Sequence, residues 1–81
     1  MPYWVISADD KGKLIHSGPF TLPQQAQNYS DDNVKSKFNE IIQTRSSSWD
    51  RARGEVKFKL SELFKDTRFG TKRIFDVSKL E

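Results

Sequence analysis

The run Tyr3-Trp-Val-Ile-Ser-Ala8 constrains this chain more than any other stretch. It is dense in aromatic and β-branched residues, the composition of a strand. Asp9-Asp10-Lys11-Gly12-Lys13 has the Gly-containing chemistry of a hairpin turn, and Leu14-Ile-His-Ser17 returns as a second strand. Successive strand side chains point to opposite faces, so Trp4 and Ile6 oppose Tyr3 and Val5. With Ile15, each face of the hairpin carries large apolar groups. That is more apolar surface than one thin core needs, and it points to a partner or to a homodimer through an apolar sheet face.

Beyond the hairpin, Gly18-Pro19-Phe20 ends the pairing and Thr21 opens a helix. Thr21 and Gln24 have capping-box spacing, and Pro23 falls in the first turn, where its missing N–H does no harm. Leu22, Ala26 and Tyr29 share a face. The pattern breaks over 28–33, where Asp31 or Asp32 can cap a new start. Val34, Phe38, Ile41 and Ile42 then recur at helical spacing and predict an amphipathic helix, the clearest periodic signal in the chain. Serines fray it over 44–48, and Arg51-Ala-Arg-Gly54 reads as loop. In 55–60 alternation is strict, with Val56, Phe58 and Leu60 facing one way and Glu55, Lys57 and Lys59 the other, which predicts a half-buried strand. A single helical turn over 61–66, a loop around Gly70, a last strand over 73–77 and a frayed 78–81 complete the chain. The predicted fold is a single α+β domain: a small antiparallel sheet in the order ββα(α)ββ, with one or two helices packed on one face.

Eighty-one residues allow one domain and a thin core. Ten aromatic rings supply much of the available burial. Cysteine is absent, which removes disulfides, thiol catalysis and thiolate metal sites. Met-Pro-Tyr-Trp-Val has neither a basic segment nor an apolar run of signal-peptide type, and no stretch reaches the ~20 apolar residues of a membrane span. A soluble, cytoplasmic protein without membrane contact is expected. Asn28-Tyr29-Ser30 matches a glycosylation acceptor and is read as a chance match in that setting.

Charge is unevenly placed. The formal net charge is +3, yet residues 1–42 carry four lysines against five acids and residues 43–81 carry ten basic residues against six acids. Within 45–73 nine basic residues face four acidic ones. That surplus predicts an anionic partner for the C-terminal half, set against the plain reading of a basic, solubilising surface.

Catalysis has little to rest on. His16 is the one histidine, and its neighbour Ser17 points to the opposite strand face, so the two do not form a nucleophile–base pair. His16 is read as a sheet-surface residue. Asp9 and Asp10 lack the alternating oxygen ligands and distal glutamate of a calcium loop. No glycine-rich phosphate loop is present, and no cofactor or metal is expected. Binding through the surface fits better. Arg45, Arg51, Arg53, Lys57, Lys59, Arg68, Lys72 and Arg73 supply charge, with Trp49 in a loop and Phe69 beside Gly70 as aromatic planes. Arg51 and Arg53 would make bidentate contacts, Lys57, Lys59 and Lys72 diffuse attraction, and Trp49 an aromatic anchor. An acidic protein partner is the first expectation. A nucleic acid bound by the same residues is the alternative, although Glu55 and Asp76 interrupt the face and no RNP-type or helix-turn-helix signature is present.

Tyr3-Trp-Val, Gly18-Pro19-Phe20 and Ala26 together resemble the strand, GPF and helix-alanine signature of SPOR-type domains, which bind peptidoglycan glycan strands. The resemblance spans a minor part of the chain. A hairpin separates the strand from GPF, a second β-α-β half is not evident, and no export or anchor segment is expected. The shared residues are read as a convergent strand–turn–helix solution, in which Gly18 and Pro19 set the turn and Phe20 packs under the helix.

Overall fold

A computed structural model describes residues 1–9, 11, 13–36, 38–64, 77 and 80. Three strands and two helices follow in the order ββαβα: β1 (Tyr3–Ala8), β2 (Leu14–Phe20), α1 (Pro23–Asn33), β3 (Asn39–Gln43) and α2 (Trp49–Phe64). The sheet is antiparallel with β1 in the centre, in the order β2-β1-β3. The α+β class and the small antiparallel sheet are as the sequence predicts. The order of elements in the second half is not.

The hairpin forms where expected, with Ile6 opposite His16 and Ala8 opposite Leu14. Asp9 closes it, its Oδ1 accepting the backbone N–H groups of Lys11 and Lys13. Rather than ending the pairing, Gly18-Pro19-Phe20 belongs to β2. Tyr3 pairs with Phe20 and Val5 with Ser17, so β2 holds one residue more than β1 across this bulge. Gly18 has φ +138° and follows Trp4 closely: a Cβ there would lie 3.0 Å from Trp4 Cε3 and 3.0 Å from the Tyr3 carbonyl oxygen. Both the backbone angle and the space demand glycine. The Gly18–Pro19 peptide is cis. Phe20 packs on Tyr29 of α1 with ring centroids 5.3 Å apart.

Helix α1 starts one residue later than its capping signal suggests. Leu22 is the N-cap, Pro23 opens the helix, and Gln25 reaches back so that its Oε1 accepts the N–H groups of Thr21 and Leu22 at 3.2 Å. Leucine has no side-chain acceptor, so only this returning half of a capping box is made. The helix runs through the polar 28–33 stretch and ends where Asn33 Nδ2 and the Val34 N–H donate to the Tyr29 and Ser30 carbonyls.

The helix predicted from Val34 to Ile42 is instead a short loop and β3. Ile41 and Ile42 point to opposite sheet faces opposite Val5 and Trp4. The cause is tertiary. Central strand β1 is buried along most of its length, and its second edge needs a hydrogen-bonding neighbour there. Two β-branched residues in 39–43 suit that role better than a helix.

The strand predicted over 55–60 is likewise helix, and Arg51-Ala-Arg-Gly54 lies within it. Ser48 precedes the first turn and its carbonyl accepts the N–H groups of Arg51 and Ala52. Asp50 sits in the first turn, where the helix dipole favours a carboxylate. Val56 and Leu60 satisfy both a period of two and a spacing of four. Phe58 separates the readings: Ala52, Val56 and Leu60 are fully buried, whereas Phe58 is 66% exposed. The helix continues through 61–64. The remainder of the predicted 61–66 turn, the 67–72 loop and most of the 73–77 strand lie outside the described residues. Val77 and Leu80 pack against the core, joined by a Leu80 N–H to Val77 carbonyl bond.

The two helices cover opposite sheet faces rather than one. Trp4, Ile6, Ala8, Leu14 and Ile42 form a single cluster with Ala52, Val56 and Leu60 of α2. Buried Val5 and Ser7 point the other way, where Ser17 Oγ donates to Tyr29 Oη and Asn39 Nδ2 to Ser30 Oγ, tying β2 and β3 to α1. The apolar residues on both sides of β1 are thus covered within the chain, whereas Ile15 of β2 stays 45% exposed.

This geometry predicts opposite costs for two neighbours that strand alternation would treat alike. Leu60→Ala should destabilise by about 2–4 kcal/mol and Phe58→Ser by less than about 1 kcal/mol, measured by urea denaturation. Comparable large losses would return 55–60 to a strand. At the bulge, Gly18→Ala should cost about 1–3 kcal/mol, and a neutral result in the same assay would show that the position tolerates a side chain.

Candidate functional site

Segment 44–48 and α2 carry the described part of the basic region. Thr44 directly follows β3 and is buried, its N–H donating to the Pro2 carbonyl. Its Oγ1 accepts from Trp4 Nε1 at 3.0 Å and donates to the Ser46 carbonyl at 3.0 Å. This small network holds the turn that aims α2 across the sheet. Arg45 follows directly. Its side chain is 86% exposed, its guanidinium lies 3.9 Å from Glu55, and its backbone N–H donates to Glu55 Oε2 at 2.8 Å.

Along α2, Arg51, Arg53 and Lys59 are exposed and Lys57 is half-buried. Lys59 Nζ donates to the Gln43 carbonyl and so staples the helix to the end of β3. The sequence reading set Lys57 and Lys59 side by side on a sheet face. At about 100° per residue they diverge by about 200° around the helix. Arg53 and Lys57 lie on one flank, with Lys59 and Arg45 on the other. Asp50, Glu55 and Glu62 are interspersed among them. Arg68, Phe69, Lys72 and Arg73 lie outside the described residues.

Trp49 is no loop residue. It opens α2 with its ring stacked on His16 at a centroid distance of 3.8 Å and 8° between planes, and it packs 5.0 Å from Trp4. His16 in turn meets Trp4 edge-on at 5.9 Å. Both residues therefore belong to an aromatic cluster at the start of α2. Among the described residues, a solvent-facing aromatic of the region is Phe58, one turn beyond Gly54. Nothing lies within 4 Å of a Cβ built on Gly54. A mid-helix glycine costs about 1 kcal/mol relative to alanine, and no close packing among the described residues requires it. Sequence reasoning missed both residues because it placed Gly54 in a loop and Phe58 in the core. A helical wheel over 49–64 puts them on one outward line.

Two open clefts flank α1. One, of about 320 Å³, is lined by Ser7, Ser17, Tyr29, Asn33 and Lys35 among others. The second, about 280 Å³, lies between Gln27 and Ser30 of α1 and Asn39, Glu40 and Ile41 of β3. Burial pushes the Glu40 carboxyl above the usual carboxylate value, because the charged form loses hydration. No helix among the described residues is long and apolar enough to cross a membrane. No protein-family model, curated protein or solved structure matches this chain.

The folded state binds the Glu40 proton more tightly than the unfolded state does. The stability this confers is complete below the unfolded value and is lost as pH rises through the raised folded value. Glu40→Gln should therefore melt higher than the wild type at pH 7, with the gap closing below about pH 4. A gap that is unchanged across this range would remove the carboxyl as its cause.

Proposed function

We propose that this chain is a non-catalytic binding module that recognises an acidic protein partner through the basic flanks of α2. The observation that carries this reading is the arrangement of charge around the helix. Arg45, Arg51, Arg53 and Lys59 are exposed on or beside an element clamped to the sheet by Ala52, Val56 and Leu60. Guanidinium groups on a rigid helix are set up for bidentate pairing with carboxylates. The carboxylates of Asp50, Glu55 and Glu62 are interleaved with the basic groups, so residues 45–64 carry five basic and three acidic side chains. A continuous phosphate backbone would meet those acids as repulsion, whereas a protein surface can place its own charges between them. An acidic protein is for this reason favoured over a nucleic acid.

The test is an ¹⁵N chemical-shift titration with a Glu-rich peptide and, separately, with single-stranded and duplex oligonucleotides at moderate salt. The peptide should give saturable shifts at Arg45, Arg53, Lys57 and Lys59. Reversal of Arg45 and Arg53 to Glu should weaken it about fivefold or more while moving the melting temperature by no more than about 3 °C. Saturable, steeply salt-dependent oligonucleotide binding on the same residues, without peptide binding, would assign the surface to nucleic acid. Scattered shifts with either ligand would retire the site.

A further inference from the structure

Between its two basic flanks, α2 presents a line of residues with no covering element among those described: Arg51, Gly54, Phe58 and Glu62, at spacings of three, four and four. Such spacing places them on one outward stripe. We propose that this stripe is the contact between two copies of the chain, related by a two-fold axis that sets the two α2 helices antiparallel.

Three features of the stripe are self-complementary under that operation. Phe58 is a large exposed ring and Gly54, one turn away, is an open notch on the helix surface. An axis through the middle of the stripe lays each ring over the partner's notch, two identical contacts from one residue pair. Glycine there lets the neighbouring backbone approach, which accounts for a mid-helix glycine that no contact among the described residues requires. Charge follows the same symmetry. Arg51 and Glu62 lie five and six residues from the Gly54–Phe58 midpoint, so each arginine comes beside the partner's glutamate. Glu62 already makes a contact within its own chain, and a carboxylate has acceptor sites for more than one donor.

The third feature is the helix dipole. Arg51 stands in the first turn of α2 and Glu62 in the last, each at the end of its own helix that disfavours its charge. An antiparallel partner reverses both relations, since each arginine then lies near a negative C-terminal end and each glutamate near a positive N-terminal end. A single helix pair buries less than the roughly 1,200 Å² of a standard interface, so the association is weak and concentration-dependent. It leaves the flanking Arg45, Arg53, Lys57 and Lys59 outside the contact and doubles the basic surface offered to a partner.

Sedimentation equilibrium of the whole chain over roughly 10 µM to 1 mM tests the proposal directly. The wild type should move toward the dimer mass, while Phe58→Ser and Gly54→Gln stay monomeric without loss of melting temperature. Arg51→Glu and Glu62→Arg should each weaken association about tenfold through two symmetry-related pairs, and the double exchange R51E/E62R should restore it. A wild type that stays monomeric throughout, a dimer that survives both Phe58→Ser and Gly54→Gln, or a double exchange that fails to restore association would each overturn it. The peptide titration on the R45E/R53E variant reads the flanks alone, so the failure of either proposal is seen independently of the other.

Discussion

The structure depends on how Trp4 is enclosed. Trp4 is 2% exposed in the central strand and is enclosed by β2, the segment after β3 and the start of α2. Gly18 of β2 passes against it because glycine alone leaves room. The indole N–H is satisfied by Thr44 beyond β3, and the Thr44 hydroxyl passes the link on to Ser46. His16 and Trp49 complete the enclosure with ring contacts. A buried indole N–H left without an acceptor costs more than the bond itself is worth. The turn after β3 is therefore bound to Trp4, and with it the starting point of α2.

From that starting point the placement of α2 follows. The helix needs one apolar line, supplied by Ala52, Val56 and Leu60, and the sheet offers Trp4, Ile6, Ala8 and Ile42 to receive it. On the other face, α1 contributes smaller and more polar contacts: Ala26 and Ser30 are its buried residues, with Tyr29 bonded to Ser17. The two layers differ in character. The α2 side is an apolar core closed by aromatic rings, whereas the α1 side is thin, hydroxyl-rich and flanked by open clefts.

The candidate surface is a by-product of this packing. Once one line of α2 is committed to the core, its other side chains are distributed around the solvent side at fixed angles. Basic residues that look contiguous in the sequence separate into two flanks, with the Gly54–Phe58 line between them. Lys59 is partly committed to the Gln43 carbonyl and Trp49 to the aromatic cluster, so neither is the free contact its residue type suggested.

Residues with only one workable local conformation were legible without the fold. The hairpin of β1 and β2 was, because aromatic and β-branched residues flank a turn that Asp9 closes locally. The start of helix α1 was as well, through Pro23 in the first turn, although the glutamine that reaches back to the preceding backbone is Gln25 rather than Gln24. The basic character of the C-terminal half needed only counting. Three things needed the tertiary structure. Segment 39–43 matched a helical period, but the open edge of a buried strand drew it into the sheet. Segment 55–60 fitted both periods, and only the packing of Val56 and Leu60 together, with Phe58 left outside, decided for helix. The apolar groups on both faces of β1 do not say which element covers them, and only the fold places α1 on one face and α2 on the other. In all three cases the local pattern permitted more than one answer, and burial of β1 selected between them.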